Sequence, residues 1–296
     1  EDDIKNVARA FTGWTFQQPV PLYPYGHHET DFVFDPNDHD YEEKVFLGHK
    51  GNFDGEDIID IIVSQPATAS FISRHLYNFF IEDEIPVPSW ETVPPKDPDA
   101  IELISKAFID SSSDMRHVMK TLFNSESFKN SINKPKVKSP TELVVGVIKQ
   151  TREFKEPTPG IHKFAVTTTV NASPFDGPLA IMGQRLMNPP TVEGWHTGFE
   201  WIDSGTLSER IGFVERQFSN LDNPGINEII TKAGSLDSDP EILVDRCLDL
   251  LGNIQIQKET RISLVKYARD LQTMKDIAGV HHLIQMIAST VDYQFA

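Results

Sequence analysis

Met182-Gly-Gln-Arg-Leu-Met-Asn-Pro-Pro-Thr-Val-Glu-Gly-Trp-His-Thr-Gly-Phe-Glu-Trp201 is the stretch on which the reading of this chain turns. It begins as the end of a helix, expected near Leu186. It then meets the Pro189-Pro190 corner and continues as a glycine-punctuated loop carrying Trp195 and Trp201. Prolines fix φ and remove backbone donors, and glycines permit turns that other residues resist. Two large aromatics are thus held on a stiff, aperiodic segment, as binding loops hold them. To either side, apolar residues recur at three- and four-residue intervals, the period of a helix. The expected fold is therefore mainly α, an irregular multi-helix domain with one small β-hairpin and long Pro/Gly-rich loops.

Working towards the N-terminus, Ser139-Pro-Thr-Glu142 combines a capping serine, a first-turn proline and a glutamate three residues after the cap. Helical patterns precede it near 113–123, from Asp97-Pro98 onward, over 66–80 and over 56–63. The first helix starts at Asp2, should bury Ile4, Val7, Ala8 and Phe11, and ends at Gly13. Trp14-Thr-Phe16 follows as a short extended piece. Asp31-Phe-Val-Phe-Asp35 and Lys44-Val-Phe-Leu47 flank a polar, turn-rich insert, which predicts one hairpin over 31–47. Phe164 to Val170 is also β-prone. Beyond the central loop, helical patterns lie near 206–220, 239–251, 257–271 and 275–290. The expected organisation is a helical domain over 1–205 with the hairpin inserted, and a helical block over 206–296 that either joins it or stands apart.

The chain has 296 residues, 39% of them hydrophobic, and a net charge of −17. That composition is globular. Such acidity repels nucleic-acid phosphates and anionic lipid, so neither is an expected partner. No apolar run reaches the ~20 residues of a membrane span. Cys247 is the one cysteine, so no intrachain disulfide forms, and its helical setting reads as a small buried hydrophobe.

Two regions could carry chemistry. Asp35, Asn37 and His39 sit at alternate positions, like the opening of a calcium loop. The pattern then lapses, because the sixth position lacks glycine and the twelfth is Phe46. Beside them, His39 and Asp40 could support acid–base work. In the central loop, Glu193, Glu200 and Asp203 accompany Trp195 and Trp201. Carboxylates beside flat aromatics suit a saccharide site, where two carboxyls divide acid and base or nucleophile roles. Glu193 with Asp40 is the expected pair, with Gln184 beneath the tryptophans and the loop folded beside His39. Arg74 lies mid-helix among apolar residues and needs a partner, since a buried unpaired charge is costly. Asp40 or Asp31 is the expected one. No Gly-x-Ser-x-Gly, His-Glu-x-x-His or Cys-x-x-Cys occurs.

Several segments together resemble one bacterial family. They are Ala8-Arg-Ala-Phe-Thr-Gly-Trp14, Phe34…His39-Asp40…Lys44-x-Phe-Leu-Gly48, Gln65-Pro-Ala-Thr-Ala-Ser-Phe-Ile-Ser-Arg-His-Leu76, Lys138-Ser-Pro140 and Met182-Gly-Gln…Pro189-Pro…Gly194-Trp195…Trp201. Their order and spacing are similar to those of the domain of unknown function 1800 family along nearly the whole chain. The resemblance marks Trp14 and Arg74 as further binding candidates. It implies a helical N-terminal region preceding residue 1, an exported protein at the periplasm or cell surface, and a sulfatase-like partner often encoded beside it. Gln65 and His75 depart from the family's usual His and Lys. Two functions are expected from these readings. One is a hydrolase acting on glycans through paired carboxylates. The other is a non-catalytic surface or assembly module that binds a protein or glycan.

Overall fold

Capping residues and helical spacing dictate most of the secondary structure. The computed structural model describes residues 1–17, 31–134, 136–153 and 177–295, and the β-prone run 164–170 lies outside them. Thirteen α-helices and two small antiparallel two-stranded sheets occur among the described residues, so the fold is mainly α. The chain forms two compact units, one of residues 1–77 and 97–129, the other of 78–96 and 130–296. The expected boundary between 205 and 206 falls inside the second unit.

In the first unit, α1 (Asp2–Ala10) leads into β1 (Trp14–Gln17). β1 pairs antiparallel with β2 (Asp31–Phe34), Trp14 opposite Phe34 and Gln17 opposite Asp31. β3 (Lys44–Phe46) pairs instead with β4 (His49–Gly51). The strands of the single hairpin expected over 31–47 therefore fall in two separate two-stranded sheets. The reason lies in Leu47 and Gly48, both at positive φ (47° and 82°). A two-residue turn of that kind has the twist that closes adjacent strands, so β3 folds onto its sequence neighbour. α2 (Gly55–Val63) follows, with Asp54 and Asp57 forming a capping box, and then α3 (Pro66–Phe80). α4 (Pro98–Asp110), capped by Asp97, packs on α5 (Met115–Asn124), and the short α6 (Glu126–Lys129) closes the unit. A small core joins Ala10, Phe46 and Ile58 with Val7 and Phe11. Ile4 and Ala8, expected on the buried face of α1, are exposed, Ile4 by 73%, and the packed face runs instead through Val7, Ala10 and Phe11.

The second unit is built on α7 (Pro140–Thr151), α8 (Pro178–Ile181), α9 (Ser204–Ser219), α10 (Pro224–Ala233), α11 (Pro240–Leu250), α12 (Lys258–Met274) and α13 (Gly279–Ala288). Ser139 and Glu142 form the expected capping box on α7. Leu143, Val147, Phe213, Phe218, Leu243, Cys247, Leu264 and Leu283 are among its buried core. Each Leu, Val or Phe among them contributes roughly 1.5–3 kcal/mol by leaving water. α10 has no counterpart in the sequence reading, because Asn223-Pro224-Gly225 looks like a loop. Pro224 in fact takes the first turn, where its missing N–H is harmless. Gly225 is needed because a Cβ there would lie 2.0 Å from the Gln150 carbonyl oxygen at the end of α7. The helix before the central stretch ends at Ile181, earlier than Leu186, and Gly183 turns the chain at φ 96°. No helix among the described residues is long and apolar enough to cross a membrane.

Candidate functional site

In the first unit, the segment Arg9–Trp14 grips the loop 34–44 residue by residue. Arg9 donates from Nε and Nη2 to the two carboxylate oxygens of Asp40 at 2.7 and 3.2 Å, and Nη2 also reaches Glu42 at 3.2 Å. The Thr12 hydroxyl accepts from Asp40 N at 2.8 Å, and its carbonyl lies 2.8 Å from His39 Nδ1. Gly13 sits at φ 81°, where a Cβ would meet the Asp35 carbonyl at 2.7 Å. Trp14 covers Gly55 so closely that a Cβ there would lie 2.5 Å from its ring. Lys44 is fully buried, and its ammonium donates to the carbonyls of Asp40 and Glu42.

The hydrogen bond from Arg9, then that from Glu42 N, holds the Asp40 carboxyl down at about 2. Asp40 is thus a fixed anion that docks its loop. Its cation is Arg9, which replaces the expected Arg74; Arg74 itself is buried in α3. Asp35 Oδ1 accepts from the backbone and side-chain nitrogens of Asn37 at 2.9 and 3.1 Å, a local turn. Asp35, Asn37 and His39 thereby serve the turn and its anchoring to Thr12. Among the described residues, no three His, Cys, Asp or Glu side chains gather around a point that could hold a metal.

The central loop belongs to the second unit. Gln184 fastens its start, with Oε1 accepting from the Thr141 amide at 2.9 Å and the Thr141 hydroxyl at 2.7 Å. Trp201 is 4% exposed and stands over Gly183, which makes it a packing residue and not a platform. Trp195 is half-buried, and its Nε1 donates to the Arg185 carbonyl at 2.8 Å. Just before Trp195, Thr191 bridges Gly194, and Glu193 projects from the exposed turn. His196 and Glu200 lie 3.5 Å apart on the surface. Asp203 caps α9, and bonds from Thr206 N and Gly205 N lower its carboxyl below the usual range. At Gly198, φ 58°, a Cβ would come within 3.1 Å of Asp83. Of the expected site residues, Trp195, Trp201, Gln184 and Glu193 share this unit, whereas His39, Asp40, Trp14 and Arg74 belong to the first.

Sequence reasoning missed a group of shifted ionisable side chains beneath that loop. Asp83 accepts from Val137 N at 2.8 Å, and burial raises its carboxyl. Lys136 donates to the carbonyls of Asn78 and Phe79, both at 2.6 Å, and burial lowers its ammonium. Lys138 donates to the Tyr293 carbonyl at 2.7 Å and lies over the Tyr293 ring. Burial first, then Arg210, pulls its ammonium down to about 8. Arg210 is fully buried, bonded to the Gln294 side chain and the Lys138 carbonyl, and burial brings it to about 10. Arg210 Nη1 and Gln294 Nε2 have no hydrogen-bond partner among the described residues. In the sequence, Lys138-Ser-Pro140 stands out as a segment of the family resemblance and Ser139-Pro-Thr-Glu142 as a helix start, and neither displays burial.

A family model described as "Protein of unknown function (DUF1800)" matches residues 1–295. The chain belongs to the DUF1800 family. No curated protein and no solved structure matches it. The two positions at which this DUF1800 chain departs from the expected motif both have local roles. Gln65 donates from Nε2 to the Ile61 carbonyl at 3.0 Å, closing the end of α2. His75 lies edge-on to Phe71 at 4.5 Å, and burial lowers its imidazolium. Arg9–Trp14 and Lys44–Gly48 build the framework of the first unit, and Lys138–Pro140 with Met182–Trp201 holds the loop of the second.

Proposed function

We propose that this chain is a non-catalytic assembly module, exported to the periplasm or cell surface, that binds a protein partner through residues 186–199. The observation that carries the reading is Met187. It is 92% exposed and adopts φ 61°, a conformation that a side chain of its size rarely takes. Backbone strain of this kind persists where surrounding structure enforces it, and it gathers at ligand clamps. Here the Trp195–Arg185 bond and the Gln184–Thr141 anchor enforce it. Val192, fully exposed, lies on the same loop. A pre-ordered loop with apolar tips loses little entropy on binding. The net charge of −17 suits a neutral or cationic partner face.

The carboxylates considered for glycan hydrolysis are less suited to turnover. Asp40 is engaged by Arg9, Asp203 caps α9, and Trp201 is buried. Glu193 stands exposed on the loop of the half-buried Trp195, and Glu200, also exposed, faces His196. The partner to test is the sulfatase-like protein that the family resemblance names, by biolayer interferometry. We expect saturable binding that Met187→Asp with Val192→Asp weakens about tenfold or more, a loss of ~1.4 kcal/mol, with an unchanged melting temperature. Unaffected binding overturns the proposal. So does glycan hydrolysis by the wild type that Glu193→Gln abolishes.

A further inference from the structure

Away from that loop, a hollow of about 190 Å³ opens in the second unit between the last turn of α7 and the first turns of α10. Lys149, Arg152, Glu228 and Lys232 form its rim, and Gly225 and Ile229 its floor. The local sequence makes it rigid. Gly225 lets α10 approach the end of α7 with no side chain between them. Arg152, the residue after α7, takes φ 53° and sends its guanidinium across to Glu228 at 2.5 Å. Lys232, one turn further along α10, binds the same carboxylate at 2.6 Å. Glu228 thus ties two cations together at the mouth. The wall is fixed as well, because Gln150 donates to the Leu251 carbonyl at 2.6 Å and accepts from the Tyr293 hydroxyl at 2.8 Å.

The charge here runs against the rest of the molecule. Three cations and one carboxylate leave a local excess of two positive charges, on a chain whose net charge is −17. Lys149 has no carboxylate partner among the described residues, so its ammonium remains available. Ile229 is 7% exposed and gives the floor an apolar surface. A concave, low-dielectric wall beneath a cationic rim concentrates field and draws in anions. The volume of about 190 Å³ is of the size that admits a benzene-sized body, and the hollow is open to solvent, with Ile229 and Leu250 as its apolar lining and charged side chains around them.

We propose that this hollow binds a small organic anion, a carboxylate or phosphate ester on an apolar body of about six carbons. Lys149 and Lys232 would meet the oxyanion, with Arg152 behind them, and Ile229 the apolar part. Benzoate, phenyl phosphate and the neutral benzyl alcohol, titrated by ligand-observed NMR at constant ionic strength, test it on the full chain. We expect one or both anions to saturate with a Kd of about 1 mM or tighter; which one does so identifies the head group. Lys149→Gln with Lys232→Gln, both exposed, should weaken that binding about tenfold or more at an unchanged melting temperature. The proposal is overturned if neither anion saturates, if benzyl alcohol binds as well as they do, or if the double variant binds as tightly as the wild type.

Discussion

Gly225→Ala would test the close crossing of α7 and α10. The added Cβ would lie 2.0 Å from the Gln150 oxygen and 2.7 Å from the Thr151 carbonyl carbon, both backbone atoms. An ordinary C···O contact needs about 3.3 Å, so the two helices must separate by roughly 1.3 Å. Alanine is the better helix former by ~1 kcal/mol. Overpacking a closed core costs typically 1–3 kcal/mol, occasionally more. Displacing Gln150 also loosens its bonds to Leu251 and Tyr293, each contributing about 1 kcal/mol. The net loss is about 2 kcal/mol, which lowers the melting temperature by roughly 4–8 °C for a chain of this order. Gly146→Ala supplies the control. It lies on the exposed side of α7 with nothing within 4 Å of the new Cβ, so propensity alone should raise the midpoint. Thermal melts followed by circular dichroism and calorimetry would compare the two. A Gly225→Ala protein that melts at or above the wild type refutes the crossing.

Two further expectations concern pH. The Arg9 bond holds Asp40 at about 2, below its ordinary 3.8. Its stabilisation is therefore complete above the ordinary value and is lost as pH falls from about 4 to about 2. Asp40→Asn should flatten the acid dependence of the melting temperature in that window, and equal slopes would count against the docking role of Asp40. Lys138 shifts stability in the same direction, but because the fold disfavours its charged form. Its folded value of about 8 lies below the usual 10.5, so the unfolded chain binds its proton more tightly between those values. Stability should rise there with pH, and relative to Lys138→Met the wild type should gain about 2 kcal/mol between pH 7 and pH 10. A pH-independent difference in denaturant melts would place Lys138 in a wetter setting than the one described.

The helices were legible because their ends carry chemistry that acts locally. Asp54, Asp97, Ser139 and Asp239 each cap the helix that the sequence predicts behind them. What escaped depends on contacts between distant residues. α10 was hidden by Gly225, whose reason is a neighbour in α7 and not a turn. The strand partners were misassigned because β-prone runs do not name their partners, whereas the backbone at Leu47 and Gly48 does. The expectation that Asp40 meets Arg74 failed for a similar reason. Two cations are within reach in sequence terms, and only the fold shows that α1 presents Arg9. Of the candidate site, Met182–Trp201 stood out through its prolines and aromatics. The buried group of Asp83, Lys136, Lys138 and Arg210 did not, because burial shifts these residues and a sequence does not display burial.

Cys247 gives the molecule an experimental convenience. The chain has one thiol, it is fully buried on α11, and burial pushes it up to about 12. Thiolate is the reacting form, so maleimides and nitroxide reagents should pass it by in the folded protein. Cysteines introduced in pairs on the surface, one in each unit, would then be labelled cleanly without first replacing the native residue. Pulsed dipolar spectroscopy or single-molecule energy transfer could measure the separation of the two units, and any change in it when a partner is added, on an otherwise unaltered protein.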